Sequence, residues 1–367
     1  MPVGEDGTYP VGVGLLCWIL DEDVPRGEAL IDLALSYNIR AIWLSFGNDV
    51  NRWINYVRSK DPVLRNETKE PIRIFYLTSD VDDAVRSVHE WGVDVLVVQG
   101  NEAGGHGSDS SPGLLTLLPE IISAFRSKSQ SPEVARLKNL IILGAGGLAT
   151  GDQIASILVG GAAGVVVGTR FLLSPEAGYT QEQKARLVAA RGDDSVRTVA
   201  YDIARGTTGW PAGVDGRALT SEIVELYENG ADAATLREKT KTVSLVWAGS
   251  GVGLMTEIKP AGVSLLAVST TPKLMFIDRR SSKSYTKVLG RLSRRLRAFL
   301  GNWSDPLDMD VTLFLSVVVD DDDDVLNACV RTDGNVQADS IMSFLALVGW
   351  TVECLDVRCE TAPQYWS

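Results

Sequence analysis

A chain of 367 residues, 45% hydrophobic and 22% charged, can bury a large core, which excludes wholesale disorder and admits one large α/β domain or two smaller ones. Its 47 acidic against 35 basic residues give a formal charge of -12, so nonspecific polyanion binding is disfavoured and no nucleic-acid partner is expected. Four dispersed cysteines (Cys17, Cys329, Cys354, Cys359), two histidines and apolar runs too short for a membrane span argue against a metal centre, a disulfide scaffold and a transmembrane segment; a cytoplasmic setting is expected.

From Val11 to Phe171 the sequence alternates strand-like and helix-like stretches. Val11–Cys17 predicts a strand, and Ala29, Leu30, Leu33, Ala34 and Tyr37 recur at helical spacing from Glu28 to Tyr37. Ala41–Ser45 reads as strand, Asp49–Arg58 as helix and Ile72–Leu77 as strand. Val81, Ala84, Val85 and Val88 share a helix face, and His89 beside that stripe reads as a surface or helix-end histidine. Val93–Val98, apolar and mostly β-branched, predicts a buried parallel strand, followed by a loop from Gln99 to Ser110 and a helix from Leu114 to Phe125. Leu140–Leu143 runs into Gly144-Ala-Gly-Gly147, and Thr150 with Gln153 forms a capping-box pattern that starts the next helix. Gly164–Val167 supplies a sixth strand and ends in Gly168-Thr169.

This order predicts an α/β fold with a parallel sheet, closed as a barrel or open and doubly wound. Six strands fall short of the eight of a complete (β/α)8 barrel. Beyond them, Gly178–Glu238 reads as helical with a Gly/Pro-rich break at Gly206–Gly216, and Gly249-Ser-Gly-Val-Gly253 forms another glycine-rich loop. Past Ser264 come a basic amphipathic helix carrying Arg291, Arg294, Arg295 and Arg297, and a solvated run of aspartates, Asp320–Asp324.

Chemistry concentrates where strands end. Gln99–His106, Gly146-Gly147 and Gly168-Thr169 each follow a strand and would open on one rim, where glycines admit a phosphate to backbone N–H groups, Thr169 adds a hydroxyl, and the helix begun near Thr150 adds its positive end. A phosphate-bearing cofactor or substrate is expected there; the spacing is not the dinucleotide fingerprint. His106 lies in a loop shaped by Gly100, Gly104, Gly105, Gly107 and Gly113, and a histidine side chain titrates near neutral pH, so it suits proton transfer to or from carbon. Glu102 either orients it, shapes the loop or faces solvent. Cys17, in an apolar run, reads as an inert core thiol.

At these residues the sequence resembles the nitronate monooxygenase (2-nitropropane dioxygenase) family of FMN-dependent TIM-barrel enzymes. The resemblance covers Val11 to Ala267 and rests on Gln99-Gly-Asn-Glu-Ala-Gly-Gly-His106, Gly144-Ala-Gly-Gly147, Gly164–Phe171, Glu176, Trp210-Pro-Ala-Gly-Val-Asp-Gly-Arg217, Gly249–Leu254 and Pro260-Ala-Gly262. It implies oxidation of alkyl nitronates with O2 to carbonyl compounds and nitrite, with the redox chemistry carried by FMN. By the same resemblance His106 is the catalytic base, Gln99 an FMN-ring contact, Gly105 part of the loop bordering the cofactor, and Gly146, Gly147, Gly168 and Thr169 the phosphate site. Related FMN enoyl reductases share Glu102–His106, so a flavin-dependent enoyl or NAD(P)H reductase is the alternative, and an inactive flavin-binding scaffold a third.

The chain begins near the family's third strand, which implies a TIM-barrel-like (β/α)8 fold lacking the first two βα units. Altered coding boundaries, a divergent scaffold without activity, and closure by a partner chain or by the C-terminal segment stay open, a homo-oligomer among them. The expected organisation is an FMN-binding partial barrel over 1–264, with a helical insertion at about 178–240, and a divergent, partly disordered extension over 265–367.

Overall fold

The computed structural model describes residues 9–61, 71–127, 140–262 and 264. The expected extension 265–367, with its arginine helix, its aspartate run and Cys329, Cys354 and Cys359, lies outside them.

Nine strands are present among the described residues: β1 (Tyr9–Leu16), β2 (Ile39–Ser45), β3 (Arg73–Thr78), β4 (Val95–Gln99), β5 (Gly105–Ser108), β6 (Ile141–Ala145), β7 (Gly164–Val166), β8 (Ser195–Thr198) and β9 (Val214–Leu219). Six form one sheet in the order β1-β2-β3-β4-β6-β7, every pair parallel. These are the six strands the βα pattern predicts. The sheet curls into a half-barrel, and no pairing joins β7 to β1 among the described residues.

Strand alternation sorts the side chains. Ala41, Trp43, Phe75, Val95, Val97, Ile141, Leu143 and Ala145 form one buried cluster on the concave face, with Trp43 stacked on Phe75 at 5.8 Å. The opposite parity, Ile42, Leu44, Ile74, Leu96 and Val98, is fully buried toward the helical layer that contributes Ile31, Trp53, Ile54, Val57 and Ile121. Each such aliphatic side chain contributes about 1.5–3 kcal/mol by leaving water. Burial on both faces explains why these strands read as continuous apolar runs.

The helices begin where the sequence provides caps. Asp23, Asp49 and Asp80 each accept the backbone N–H three residues on, opening helices Val24–Ser36, Val50–Lys60 and Val81–Arg86. Thr150 and Gln153 form the expected capping box for Gly151–Val159. Cys17 differs in element: it starts a short helix, Cys17–Glu22, yet is fully buried and its thiol is pushed well up by desolvation, so it is an inert core group as expected. His89 is half-buried, with Phe125 at 6.2 Å. No helix among the described residues is long and apolar enough to cross a membrane.

One expectation needs correction. The region from Gly178 to Glu238, expected to be helical, also contains β8 and β9. They join β5 in a second, antiparallel sheet ordered β5-β9-β8. Gly105–Ser108, expected as loop, is therefore a strand, with His106 opposite Gly216.

Candidate active site

One cavity of about 190 Å³ opens at the carboxyl ends of the parallel strands, and Gln99, Gly105, His106, Gly146, Gly147, Gly168 and Thr169 all line it. Strand parity aims residues into it. Ser45, Leu77, Gln99 and Ala145 each stand two positions beyond a concave-face core residue, Trp43, Phe75, Val97 and Leu143.

The rim glycines divide into two kinds. Gly146 and Gly147 have φ of 113° and 67°, and a Cβ on them would lie 3.0 Å from the Gly100 carbonyl oxygen and 2.8 Å from Glu102 Cβ, so tight loop packing requires them. At Gly105 and Gly168 a Cβ would meet nothing within 4 Å among the described residues, so these two border open space there. Thr169 Oγ1 accepts the Gly249 N–H at 3.0 Å, which leaves its O–H as a donor. The helix starting at Gly151 is less available than expected: Gln153 Oε1 takes the N–H groups of Ala149 and Thr150, and Thr150 Oγ1 takes that of Gln153.

His106 is held on several sides. Its Nε2 lies 2.9 Å from Asp202 Oδ1, with the two side chains 9% and 6% exposed. Gln99 Nε2 donates to the His106 carbonyl at 3.3 Å. The Trp210 indole stacks on the imidazole at 3.5 Å between centroids and 9° between planes, and Trp247 sits at 5.0 Å and 56°. Nδ1 has no partner among the described residues. A carboxylate accepting Nε2–H selects the tautomer whose Nδ1 lone pair can take a proton.

Beneath the strand, Arg197 donates to the carbonyls of Asn101, Ala103, Gly105 and Gly107 and pairs with Asp215 at 2.6 Å. Arg217 donates to the carbonyls of Asn101 and Ser195. Desolvation, followed by the nearby Arg197 charge, lowers the proton affinity of Arg217; desolvation raises that of Asp215 against the pull of Arg197. The Arg197 guanidinium and the half-buried Arg217 thus pin the loop that delivers His106.

A sequence model of the family described as nitronate monooxygenase matches residues 33–267. The chain belongs to this family. It is 31% identical to nitronate monooxygenase npaC of Metarhizium robertsii over 69% of this chain and 71% of that protein. It is 28% identical to a nitronate monooxygenase of Neurospora crassa over 69% of this chain and 68% of that one. In structure it is similar to the nitroalkane oxidase of Streptomyces ansochromogenes, with a TM-score of 0.54 at 21% identity over 73% of this chain and 82% of that chain. The last likeness speaks for the fold alone. Membership makes the chain a flavin-dependent oxidoreductase of the nitronate-oxidising type.

Within this nitronate monooxygenase fold, Glu102 shapes the loop: both carboxylate oxygens accept the Leu114 N–H, at 3.1 and 2.9 Å, at the start of helix Leu114–Ser127. The partner of His106 is Asp202, which the sequence reading missed, as it missed the stacked Trp210 and the two arginines. Trp210 and Arg217 bound the family-like segment Trp210-Pro-Ala-Gly-Val-Asp-Gly-Arg217, which names no role for either. Asp202 carries a faint signal, an acidic residue beside the apolar Ala200, Tyr201 and Ala204.

A flavin suits the polar edge of this cavity. Gln99 and Trp210 line it, their Oε1 and Nε1 are buried without a hydrogen-bond partner among the described residues, and Gly105 and Gly168 leave room where a side chain would intrude.

Proposed function

We propose that this chain is an FMN-dependent oxidoreductase that oxidises alkyl nitronates with O2 to carbonyl compounds and nitrite, with His106 as base. The observation that supports it best is His106, hydrogen-bonded to Asp202, on the wall of the cavity rimmed by Gly146, Gly147, Gly168 and Thr169. Gly146, Gly147, Gly168 and Thr169 would hold the phosphate of FMN, while Gln99 and Gly105 would border its ring. Bound there, FMN supplies the electron acceptor that no side chain of the site can provide.

The chain's own residues handle the proton. His106 Nδ1 takes the α proton of a neutral nitroalkane; the C–H bonding pair stays with the substrate as the nitronate, and the ring becomes imidazolium. Asp202 then faces a cation instead of a neutral N–H, which strengthens their hydrogen bond. Phe46, Trp210 and Trp247 give the His106 side of the cavity an apolar lining suited to an alkyl group. The FMN-binding unit would end near residue 264, with 265–367 as a separate extension.

Anaerobic titration of the purified protein with FMN, followed by addition of an alkyl nitronate, tests this reading. Tight FMN binding and bleaching of flavin absorbance by the nitronate are expected. Rapid NAD(P)H oxidation without nitronate would favour the reductase alternative, and folded protein that neither binds FMN nor oxidises nitronates would favour an inactive scaffold.

A further inference from the structure

We propose that Trp210 is a positioning residue whose indole locks the plane of the His106 ring, so that Nε2 stays on Asp202 and Nδ1 is presented to the cavity. Its catalytic consequence rests on the reading of His106 as base. A single hydrogen bond tolerates tens of degrees of misalignment, so the 2.9 Å contact to Asp202 alone leaves the imidazole free to rock about its Cβ–Cγ bond. A ring stacked at 3.5 Å and 9° removes that freedom, because rotation would drive imidazole atoms into the indole.

The indole is itself fixed from behind. Trp18 and Phe46 each lie 5.4 Å from it, tilted at 50° and 78°. Phe46 reaches this position from a left-handed backbone conformation, φ 51°, that a non-glycine residue adopts at a cost.

The segment carrying Trp210 is tied to the same carboxylate that binds His106. Thr207 Oγ1 donates to Asp202 Oδ1 at 2.9 Å, and the Thr207 N–H donates to the Asp202 carbonyl at 3.0 Å. At its far end the Asp109 N–H donates to the Gly213 carbonyl at 2.9 Å, fastening the segment to the end of β5. Ring, carboxylate and indole therefore form one unit, with Asp202 choosing the edge and Trp210 the plane.

With only two histidines in the chain, nitrogen-15 NMR of the full-length protein reads this directly, and His89 serves as internal control. In neutral His106 the expected result is one tautomer, protonated on Nε2, with ring carbon-bound protons displaced upfield by the stacked indole relative to those of His89. A mixture of tautomers, an Nδ1–H tautomer, or the absence of that displacement would overturn the proposal.

Trp210→Leu should lose the displacement and let the ring rock, lowering the carbon-13 relaxation order of the His106 imidazole while Asp202 keeps the Nε2–H tautomer. Trp210→Phe should restore ring order, and an imidazole as ordered in Trp210→Leu as in wild type would count against the idea. Should the leucine variant not fold, the wild-type and phenylalanine spectra still decide. In FMN-loaded enzyme the ratio of nitroalkane to nitronate turnover should fall about 10-fold in Trp210→Leu, since only the nitroalkane requires proton abstraction. If the spectra change as expected while that ratio does not, Trp210 positions the ring but His106 is not the base.

Discussion

The carboxylate of Asp202 lies 2.9 Å from His106 Nε2 although 96 residues separate the two in the chain. The contact is made around the antiparallel sheet: His106 sits on β5, and Asp202 on the helix Ala200–Arg205 that follows β8 of the same sheet. Asp202→Asn keeps the shape but can present its amide N–H to Nε2, favouring the wrong tautomer. The ratio of nitroalkane to nitronate turnover should fall about 100-fold, within the range that positioned acid–base groups contribute. Oxygen consumption with each substrate measures it; an unchanged ratio would remove Asp202 from the mechanism.

The two kinds of rim glycine should respond differently to a methyl group. Gly168→Ala places its Cβ in open space and should weaken FMN binding while leaving the thermal midpoint of the flavin-free protein unchanged. Gly147→Ala forces a left-handed alanine against Glu102 and should destabilise the protein by about 1–2 kcal/mol or more. Paired FMN titration and thermal unfolding of both variants separate the effects.

Arg197→Met strands the Asp215 carboxylate in a site where its side chain is 12% exposed. Removing one partner of a buried ion pair costs about 3–5 kcal/mol. Burial already raises the Asp215 carboxyl above its ordinary value while Arg197 pulls it down, so the variant raises it further. A carboxyl raised in the folded state holds its proton better there than in the unfolded chain. Its contribution is therefore fully present below the unfolded value and is lost as pH rises through the folded one. The stability deficit of Arg197→Met should accordingly be largest near neutral pH and shrink on acidification, as urea unfolding at several pH values would show.

Glu102→Ala removes the acceptor for the Leu114 N–H and should cost about 0.5–2 kcal/mol, the usual effect of losing a helix cap. The same variant should leave the His106 tautomer intact, because Glu102 makes no contact with the ring among the described residues. A changed His106 spectrum in Glu102→Ala would mean that the loop transmits to the imidazole.

The parallel half of the fold was legible because strands buried on both faces are written as unbroken apolar runs, and because Asp49 and Thr150 mark helix starts chemically. β8 and β9 were not, since Ser195-Val-Arg-Thr198 and Val214-Asp-Gly-Arg-Ala-Leu219 are short, and their arginines bond to loop carbonyls far away in sequence. β5, Gly-His-Gly-Ser, contains no strong strand former and is held by tertiary pairing alone. His106 stood out through rarity and its place after a strand. Asp202 and Trp210 could not, because a partner is defined by distance in space, and nothing local in either segment names the residue it meets.

The alternation that seats Trp43, Phe75, Val97 and Leu143 in the core also points Ser45, Leu77, Gln99 and Ala145 at the cavity two positions later. A single inserted or deleted residue within β4 would swing Gln99 out toward the helices and bring an aliphatic neighbour into the polar edge of the site. These strands should therefore accept exchange of side chains far more readily than a change of length by one.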